Sequence, residues 1–205
     1  MVTEQLEVER KFDVDPQFVV PDLGGLPGVA AAATPVTHDL VAVYLDTAEL
    51  RLARSRITLR RRTGGPDEGW HLKLPAGAAR RELHVPLDSG DEVPAELLAE
   101  VAGLLEGAEL APVVTLRTRR VVTALSDAAG RELAELADDT VRATRHPALP
   151  GEAPEERTWR EVEVELVAGD DSLLTAVGER LVGAGAQSSP RASKLATALG
   201  SRLSG

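Results

Sequence analysis

The chain has 205 residues, a length that suits one domain with a single sizeable core. It contains no cysteine, which excludes disulfide scaffolds, thiolate metal sites and cysteine nucleophiles. Its formal net charge of −10 at pH 7 argues against nonspecific binding to nucleic acid through a basic surface. The start lacks the apolar segment of a signal peptide, and no apolar run reaches the roughly 18 residues of a membrane span. We therefore expect a cytoplasmic protein that binds neither membrane nor nucleic acid.

Apolar and polar residues alternate with a period of two along most of the chain, which predicts half-buried strands. Eight strands are predicted, near residues 5–14, 37–47, 55–63, 69–75, 80–87, 113–125, 131–142 and 158–167. Helical periodicity predicts helices at 94–107, at 170–186 and from about 190. The charged, Pro-rich stretch 143–158 is interpreted as a surface loop. The predicted fold class is α+β, dominated by antiparallel strands, in one domain over residues 1–205.

The first predicted strand carries charge on one face only. Glu7, Glu9 and Lys11 share a face, because alternate residues of a strand point the same way. Leu6 and Val8 lie on the opposite, apolar face. The last predicted strand shows the same pattern, and its charged face consists of Glu161, Glu163 and Glu165.

Cationic side chains form similar ladders on the middle strands. The ladder residues are Arg60 with Arg62, Lys73, Arg80 with Glu82, and Arg117 with Arg119. On a single strand such a face would simply be exposed to water in a two-layer sandwich. Because four or five strands share the pattern, a closed sheet with a charged lumen is favoured. Charges in such a lumen must pair, stay hydrated or bind a polyanion together with a metal ion.

Lysine is rare, which makes each lysine a candidate for a specific role. Lys11, Lys73 and Lys194 are the only lysines among the 23 basic residues. An ammonium group is a compact point charge that can enter a crowded anion site, whereas arginine presents a planar fork. The four histidines show no metal-ligand spacing. Tyr44 and Asp46 are interpreted as structural residues. The remaining arginines of the 51–61 region are expected on the outer surface or paired with acids; these are Arg51, Arg54, Arg56 and Arg61.

An ordered series of motifs resembles the CYTH domain family, the triphosphate tunnel metalloenzymes. The series begins with the ExExK pattern of Glu7 to Lys11 and continues through YLDT at 44–47, LRRR at 59–62, LKLP at 72–75, RRE at 80–82, RTRR at 117–120, EVEVEL at 161–166 and SK at 193–194. The resemblance implies an eight-stranded antiparallel β-barrel that forms a charged tunnel with flanking helices. All three lysines fall on motif positions.

The resemblance also implies a metal site and a phosphate site. Mg²⁺ or Mn²⁺ would be held by Glu7, Glu9, Glu161, Glu163, Glu165 and an acid of the ELADD segment. Parity with Glu135 favours Asp139 as that acid, with Asp138 left open. The substrate-binding cations would be Lys11, Arg60, Arg62, Lys73, Arg80, Arg117, Arg119 and Lys194. Lys11 and Lys73 are the candidate catalytic residues, and the general base is left unassigned.

The expected activity is metal-dependent hydrolysis of a small triphosphate or polyphosphate, first of all inorganic tripolyphosphate to diphosphate and phosphate. Two Phe, one Tyr and two Trp leave little material for stacking an organic ring. The alternatives are a class IV type adenylyl cyclase, a thiamine or nucleotide triphosphatase, and a noncatalytic polyphosphate-binding module. The last alternative arises because residues 188–205 resemble a junction to a helical CHAD-like domain. The sequence does not indicate the oligomeric state.

Overall fold

Long antiparallel strands make up most of the computed structural model, which describes residues 2–77, 79–87, 90, 92–147, 151–191 and 193–203. The strands are β1 Thr3–Glu7, β2 Glu9–Val14, β3 Ala31–Ala32, β4 Val36–Asp46, β5 Thr58–Thr63, β6 Gly69–Ala76, β7 Ala79–Pro86, β8 Ala111–Ser126, β9 Glu132–Arg145, β10 Glu155–Leu166 and β11 Gln187–Ser188. The helices are α1 Arg51–Arg54, α2 Ala95–Leu105, α3 Asp171–Gly183 and α4 Lys194–Leu199, followed by a 3₁₀ turn at Gly200–Leu203.

A single N-terminal segment joins the two edges of the sheet. The strand order is β1-β7-β6-β5-β4-β8-β9-β10-β2-β11, with β3 paired to β8. β1 and β2 are separated only by Val8, yet β1 pairs with β7 and β2 pairs with β10. The sheet therefore curls back on itself. With β1 and β2 counted as one strand, the circuit has the eight antiparallel strands that were predicted; β3 and β11 are short additions.

The apolar faces of the strands pack outward against helices. Leu97 and Val101 of α2 are fully buried against β5, β6 and β7. Leu174 and Val177 of α3 are buried against β2, β9 and β10. Burial of these apolar side chains on the outside leaves the charged faces on the inside of the curl. A curled antiparallel sheet with a charged interior is thus confirmed over the two-layer sandwich.

Helix α4 packs against the inner face of the sheet and closes one end. Leu195 and Leu199 are buried against Ala42, Tyr44 and Leu116, which lie on the inward-facing side of β4 and β8. The Ser193 hydroxyl oxygen accepts a hydrogen bond from the backbone N–H of Ala196 at 3.1 Å and caps the helix. Because Lys194 follows the cap directly, the first turn of α4 carries its side chain into the charged interior.

The predicted loop 143–158 is shorter than expected. β9 continues to Arg145 and β10 begins at Glu155, and these two residues pair with each other. Charged side chains can occupy the solvent-facing side of a strand, so composition alone overestimated the loop. Residues 148–150 of that prediction lie outside the described part of the chain. Within the described ranges, no helix is both long enough and apolar enough to cross a membrane.

Asp46 organises the turn that follows β4. Its carboxylate is completely buried and accepts hydrogen bonds from the backbone N–H groups of Thr47 at 2.7 Å, Leu52 at 3.0 Å and Ala53 at 2.9 Å. Helix α1 has only four residues and was not predicted. Its position depends on this carboxylate, which satisfies N–H groups that the short helix leaves unpaired.

Replacing Asp46 with alanine should therefore destabilise the protein. Asp46→Ala leaves three backbone donors without their acceptor, and we expect a loss of about 1–3 kcal/mol in the free energy of unfolding. Urea denaturation followed by circular dichroism measures the change. Asp39→Ala, at an exposed position of the same strand, is the control and should change stability by less than about 0.5 kcal/mol. Equal stabilities of the two variants would contradict the assigned role.

Candidate functional site

The curled sheet encloses a pocket of about 320 Å³ whose wall is dominated by charged side chains. The acidic lining residues are Glu7, Glu9, Asp67, Glu82, Glu135, Glu163 and Glu165. The cationic lining residues are Lys11, Arg60, Arg62, Lys73, Arg80, Arg120 and Lys194. Both signs reach the pocket because alternate residues of neighbouring strands point inward. The interior is therefore a polar chamber, and the ion pairs among its lining residues determine how much charge is available to a ligand.

Three carboxylates of β9 and β10 form one group near α4. Asp139, Glu161 and Glu163 each offer an oxygen within 4.8 Å of the others, a spacing that could hold a metal ion. Asp139 is adjacent to Glu161 across the β9–β10 pair. The Arg120 guanidinium donates to the Asp139 carboxylate at 2.8 Å and 2.7 Å and to Glu163 at 2.9 Å. This acidic group is accordingly neutralised in part by an arginine.

The ammonium of Lys194 lies within the same group. Its Nζ atom is 2.9 Å from Asp139, 2.7 Å from Glu161 and 2.7 Å from Glu163. Burial alone would lower the pKa of this ammonium, but the three carboxylates raise it. Lys194 is thus held as a cation, and it already supplies positive charge where the carboxylate oxygens converge.

A second acidic group lies on β1, β2 and β10, and its carboxylates have fewer cationic contacts than those of the first group. Glu165 and Glu9 are cross-strand partners, and Glu7 lies two residues away on the same face. The Lys73 ammonium donates to Glu7 at 2.6 Å, and the Lys11 ammonium donates to Glu9 at 3.2 Å. Burial, followed by the charge of Glu7, raises the pKa of Glu165 from 4.5 to about 7. The raised pKa therefore reflects chiefly the burial of this carboxyl and, next, its acidic neighbours.

This second group offers the donor type that a hard divalent cation prefers, although among the described residues the oxygens that converge within 4.8 Å are those of Asp139, Glu161 and Glu163. Carboxylate oxygens are the donors that Mg²⁺ and Mn²⁺ prefer, and the pKa of Glu7 is also raised by burial. Lys11 bridges the two acidic groups, since it contacts Glu163 as well as Glu9. A dication beside Glu7, Glu9 and Glu165 would add positive charge to this buried acidic group.

Arginines of β5 form the opposite wall. Arg60 donates to the Tyr44 hydroxyl at 3.2 Å, and Arg62 forms an ion pair with Asp67. The Nε atoms of Arg60 and Arg62 are buried and have no hydrogen-bond acceptor. Burial, followed by the charge of Arg60, lowers the pKa of Arg62 to about 9. Buried donors without acceptors are uncommon in native proteins, so this wall is suited to receive anionic oxygens.

Most of the predicted cations line the chamber, but two do not. Lys11, Arg60, Arg62, Lys73, Arg80 and Lys194 face the pocket. Arg117 and Arg119 are exposed on the outward side of β8, and this orientation corrects the prediction. The inward-facing residues of β8 have the other parity, because Leu116 packs against α4 inside the sheet. Arg120 shares that parity and is the arginine of RTRR that reaches the pocket.

The structure also shows which of two aspartates, Asp138 or Asp139, faces the interior. Asp139 is fully buried and contacts the inward-facing Lys194 and Arg120, as parity with Glu135 had favoured. Asp138 lies on the outer side of β9, where Arg160 donates to it at 2.8 Å and 2.7 Å. Asp138 is therefore placed outside the acidic group. The six acids predicted as metal ligands all lie on inward-facing positions of β1, β2, β9 and β10.

Glu82 and His71 also lie in the interior, although neither was predicted to bind metal or substrate. Glu82 is buried, with its carboxylate 3.6 Å from the Lys73 ammonium and 3.9 Å from Arg60. His71 lies 2.7 Å from Glu82 through Nδ1 and 3.0 Å from the Asp67 carbonyl oxygen through Nε2. Burial and nearby arginines lower the pKa of His71. The one sequence feature that pointed to His71 was its position two residues before Lys73, on the same face of the strand. A search for metal-ligand spacing among histidines does not detect this feature.

Comparison with known proteins identifies a shared domain. Residues 5–195 match the family model of the CYTH domain. The Mycobacterium tuberculosis proteins MT2285 and Rv2226 are each 44% identical to the chain over 211 residues. These alignments cover 98% of the chain but 41% of each relative, so the chain spans about two fifths of their length.

Two solved structures share the fold. A candidate adenylate cyclase from Bacillus halodurans has a TM-score of 0.60 and 17% identity, with 95% of this chain and 97% of that chain covered. The PH1819 protein of Pyrococcus horikoshii has a TM-score of 0.53 and 14% identity, with 97% and 99% covered. At such low identity these likenesses show the architecture of the curled sheet.

The raised pKa of Glu165 gives a prediction for the metal-free protein. The folded-state pKa of about 7 exceeds the ordinary value of 4.5, so the folded state loses stability as pH rises through this interval. Glu165→Gln removes the ionising group. In the presence of a chelator, this variant should be more stable than the wild type above pH 7, by about 1–3 kcal/mol, with the difference vanishing below pH 5.

Urea denaturation across this pH range measures the difference. Glu109→Gln, which replaces an exposed acid, should leave the pH dependence unchanged. A Glu165→Gln protein that is less stable than the wild type at pH 8 would show that the carboxylate is compensated by its surroundings.

Proposed function

The chain belongs to the CYTH domain family, whose members act on triphosphates, and we propose that it is a metal-dependent triphosphatase that hydrolyses inorganic tripolyphosphate to diphosphate and phosphate. The observation that supports this proposal most directly is the arrangement of the chamber. Buried guanidinium donors without acceptors lie on one wall, and carboxylates whose pKa is raised by burial lie on another. A phosphate chain together with a divalent cation satisfies both walls at once.

The cations hold the substrate in this proposal. Arg60, Arg62, Arg80 and Arg120 contact phosphate oxygens as planar donors, and Lys11, Lys73 and Lys194 contact them as point charges. Most of the rate of phosphoryl transfer comes from positioning and from neutralising charge on the phosphates. Lys11 and Lys73 are proposed as catalytic residues because each already lies between carboxylates and the open centre of the pocket.

The acidic group of Glu7, Glu9 and Glu165 is proposed to hold Mg²⁺ or Mn²⁺, with Asp139, Glu161 and Glu163 as the adjoining carboxylates. The bound ion would supply Lewis-acid polarisation of phosphate oxygens. In the hydrolytic step a water oxygen bonds to the terminal phosphorus while the bond from that phosphorus to the diphosphate oxygen breaks. The charge that develops on the leaving diphosphate is neutralised by the lysines.

The chamber offers little to an organic group, which favours an inorganic substrate. Among its described lining residues, Tyr44 is the only Phe, Tyr or Trp side chain. Its ring is buried, and the Arg60 guanidinium carbon lies 6.0 Å from the ring centroid. A purine or thiazolium ring therefore has no open aromatic face on which to stack. Tripolyphosphate requires no such face.

Product analysis tests the proposed activity. Purified protein with Mg²⁺ or Mn²⁺ should release phosphate and diphosphate from tripolyphosphate much faster than it consumes ATP or thiamine triphosphate. Glu9→Gln removes a ligand charge, and we expect turnover to fall by at least about 100-fold while the circular dichroism spectrum is retained. Glu4→Gln, on the outward face of the same N-terminal segment, should retain activity.

The other outcomes distinguish the alternatives. Cyclic AMP formed from ATP, with diphosphate and no free phosphate, would identify a cyclase and refute the triphosphatase proposal. Tight binding of tripolyphosphate without turnover of any of the three substrates would identify a noncatalytic module. Full activity of the Glu9→Gln protein would show that Glu9 is not a metal ligand.

Adjacent arginines of β8 test the orientation of the strand. Arg120→Gln should weaken tripolyphosphate binding by about tenfold or more, because Arg120 faces the pocket. Arg119→Gln should change binding by less than about twofold, because Arg119 is exposed on the outer side. Isothermal titration calorimetry at fixed ionic strength measures both, with thermal unfolding as the check on folding. The reverse order of effects would support the orientation that the motif resemblance had implied.

A further inference from the structure

The loop between β5 and β6 places a carboxylate at the rim of the charged chamber. This loop spans residues 64–68, and its Asp67 lines the chamber. The Asp67 carboxylate forms an ion pair with the guanidinium of Arg62. Asp67 was not predicted as a site residue, and it belongs to neither of the two acidic groups on β1, β2, β9 and β10. Its role is therefore separate from that of the candidate metal ligands.

The two partners of this ion pair differ in their access to water. The side chain of Arg62 is 6% exposed, whereas that of Asp67 is 51% exposed. Among the acids of the described chamber lining, Asp67 is the only exposed residue. A buried guanidinium that loses its partner is destabilising, but a half-exposed carboxylate is hydrated again when its side chain rotates. Any exchange of partners at Arg62 therefore occurs by movement of Asp67.

The backbone of the loop is held in place by two histidines. His71 Nε2 lies 3.0 Å from the carbonyl oxygen of Asp67, and His84 Nε2 lies 3.2 Å from the carbonyl oxygen of Glu68. Because a carbonyl oxygen only accepts, each of these nitrogens donates. The loop thus keeps the Asp67 carboxylate close to the chamber even when its side chain rotates away. A group tethered in this way has a high effective concentration at the site that it left.

We propose that the Asp67 carboxylate is an internal competitor for phosphate at Arg62. In the empty chamber it compensates the buried guanidinium, and a phosphate group of the substrate displaces it into solvent. A ligand therefore gains from Arg62 only the difference between its own contact and that of Asp67. This inference rests on the proposed function, because it takes a triphosphate as the ligand that reaches Arg62.

Such a competitor makes the chamber selective. Anions that bind a guanidinium no more strongly than a carboxylate does gain nothing by displacing Asp67. Phosphate groups carry more charge and present paired oxygens that match the guanidinium fork of Arg62. Asp67 is accordingly a specificity-determining residue, since it sets the strength of contact that a ligand must exceed at this wall.

Neutralising Asp67 distinguishes competition from structural support of the loop. Asp67→Asn keeps the size of the side chain and removes its charge. The Kd for tripolyphosphate in metal-free buffer, measured by calorimetry at fixed ionic strength, should fall about tenfold because no ion pair has to be broken. Without ligand, the unfolding temperature should fall by roughly 3–6 °C, because Arg62 then lacks its anion. A residue that only supports the loop would lose stability without a gain in affinity.

Two controls isolate the contact with Arg62. In the Arg62→Gln background, adding Asp67→Asn should change the Kd by less than about twofold and the unfolding temperature by less than about 1 °C, because no guanidinium remains to be occupied. Glu68→Gln removes an equal charge from the next position of the same loop, and Glu68 is exposed and outside the described lining of the chamber. This variant should alter neither quantity.

Two results would overturn the inference. The first is tripolyphosphate binding by Asp67→Asn that is unchanged or weaker than in the wild type. The second is equal tightening in the Arg62→Gln background or in Glu68→Gln, since the effect would then be one of net charge alone.

Failure of the proposed function would be recognised separately, because these measurements need no metal ion and no turnover. Wild-type protein that bound tripolyphosphate without hydrolysing it in Mg²⁺ would refute the triphosphatase proposal. Tightening by Asp67→Asn that required Arg62 would still establish the competitor. Conversely, hydrolysis by the wild type together with independent effects of the two substitutions would retain the triphosphatase proposal and refute this inference.

Discussion

Burial of charge inside the sheet is the constraint on which the rest of this structure depends. A charged side chain removed from water is destabilising unless partners compensate it. Here Lys194 is surrounded by three carboxylates, and Lys73 binds Glu7. The compensation is uneven, since the Nε atoms of Arg60 and Arg62 are buried without acceptors and burial raises the pKa of Glu165. Ligand binding can therefore lower the free energy of a chamber that folding alone leaves unbalanced.

The architecture of the sheet follows from this constraint. Apolar faces pack outward against α2 and α3, so that charged faces must turn inward. One N-terminal segment then completes the circuit and carries Glu7 and Glu9 on either side of Val8, where its pairing changes from β7 to β10. The same short segment thus closes the sheet and supplies two carboxylates to the chamber. The backbone hydrogen bonds that close the sheet therefore also position these two carboxylates.

Much of this arrangement could be predicted from the sequence, and the exceptions have physical causes. All eight long strands follow from period-two alternation, and the family resemblance is confirmed. The orientation of β8 could not be predicted, because α4 enters the curl and makes part of its interior apolar, so that Leu116 faces inward beside Arg120. Helix α1 was not predicted, because four residues show no helical periodicity and the helix depends on hydrogen bonds to the buried Asp46 carboxylate. The assigned roles of the site residues remain predictions.

The closing segment also affects how the chain folds. β2 ends at Val14, yet its partner β10 begins only at Glu155. Such pairing across most of the chain raises the contact order and slows folding, and β2 stays an open edge until β10 pairs with it. Charges on an unpaired strand discourage pairing with other chains. Glu9 and Lys11 place such charges on β2, so that residues of the chamber also serve as charges on this edge while β10 is unpaired.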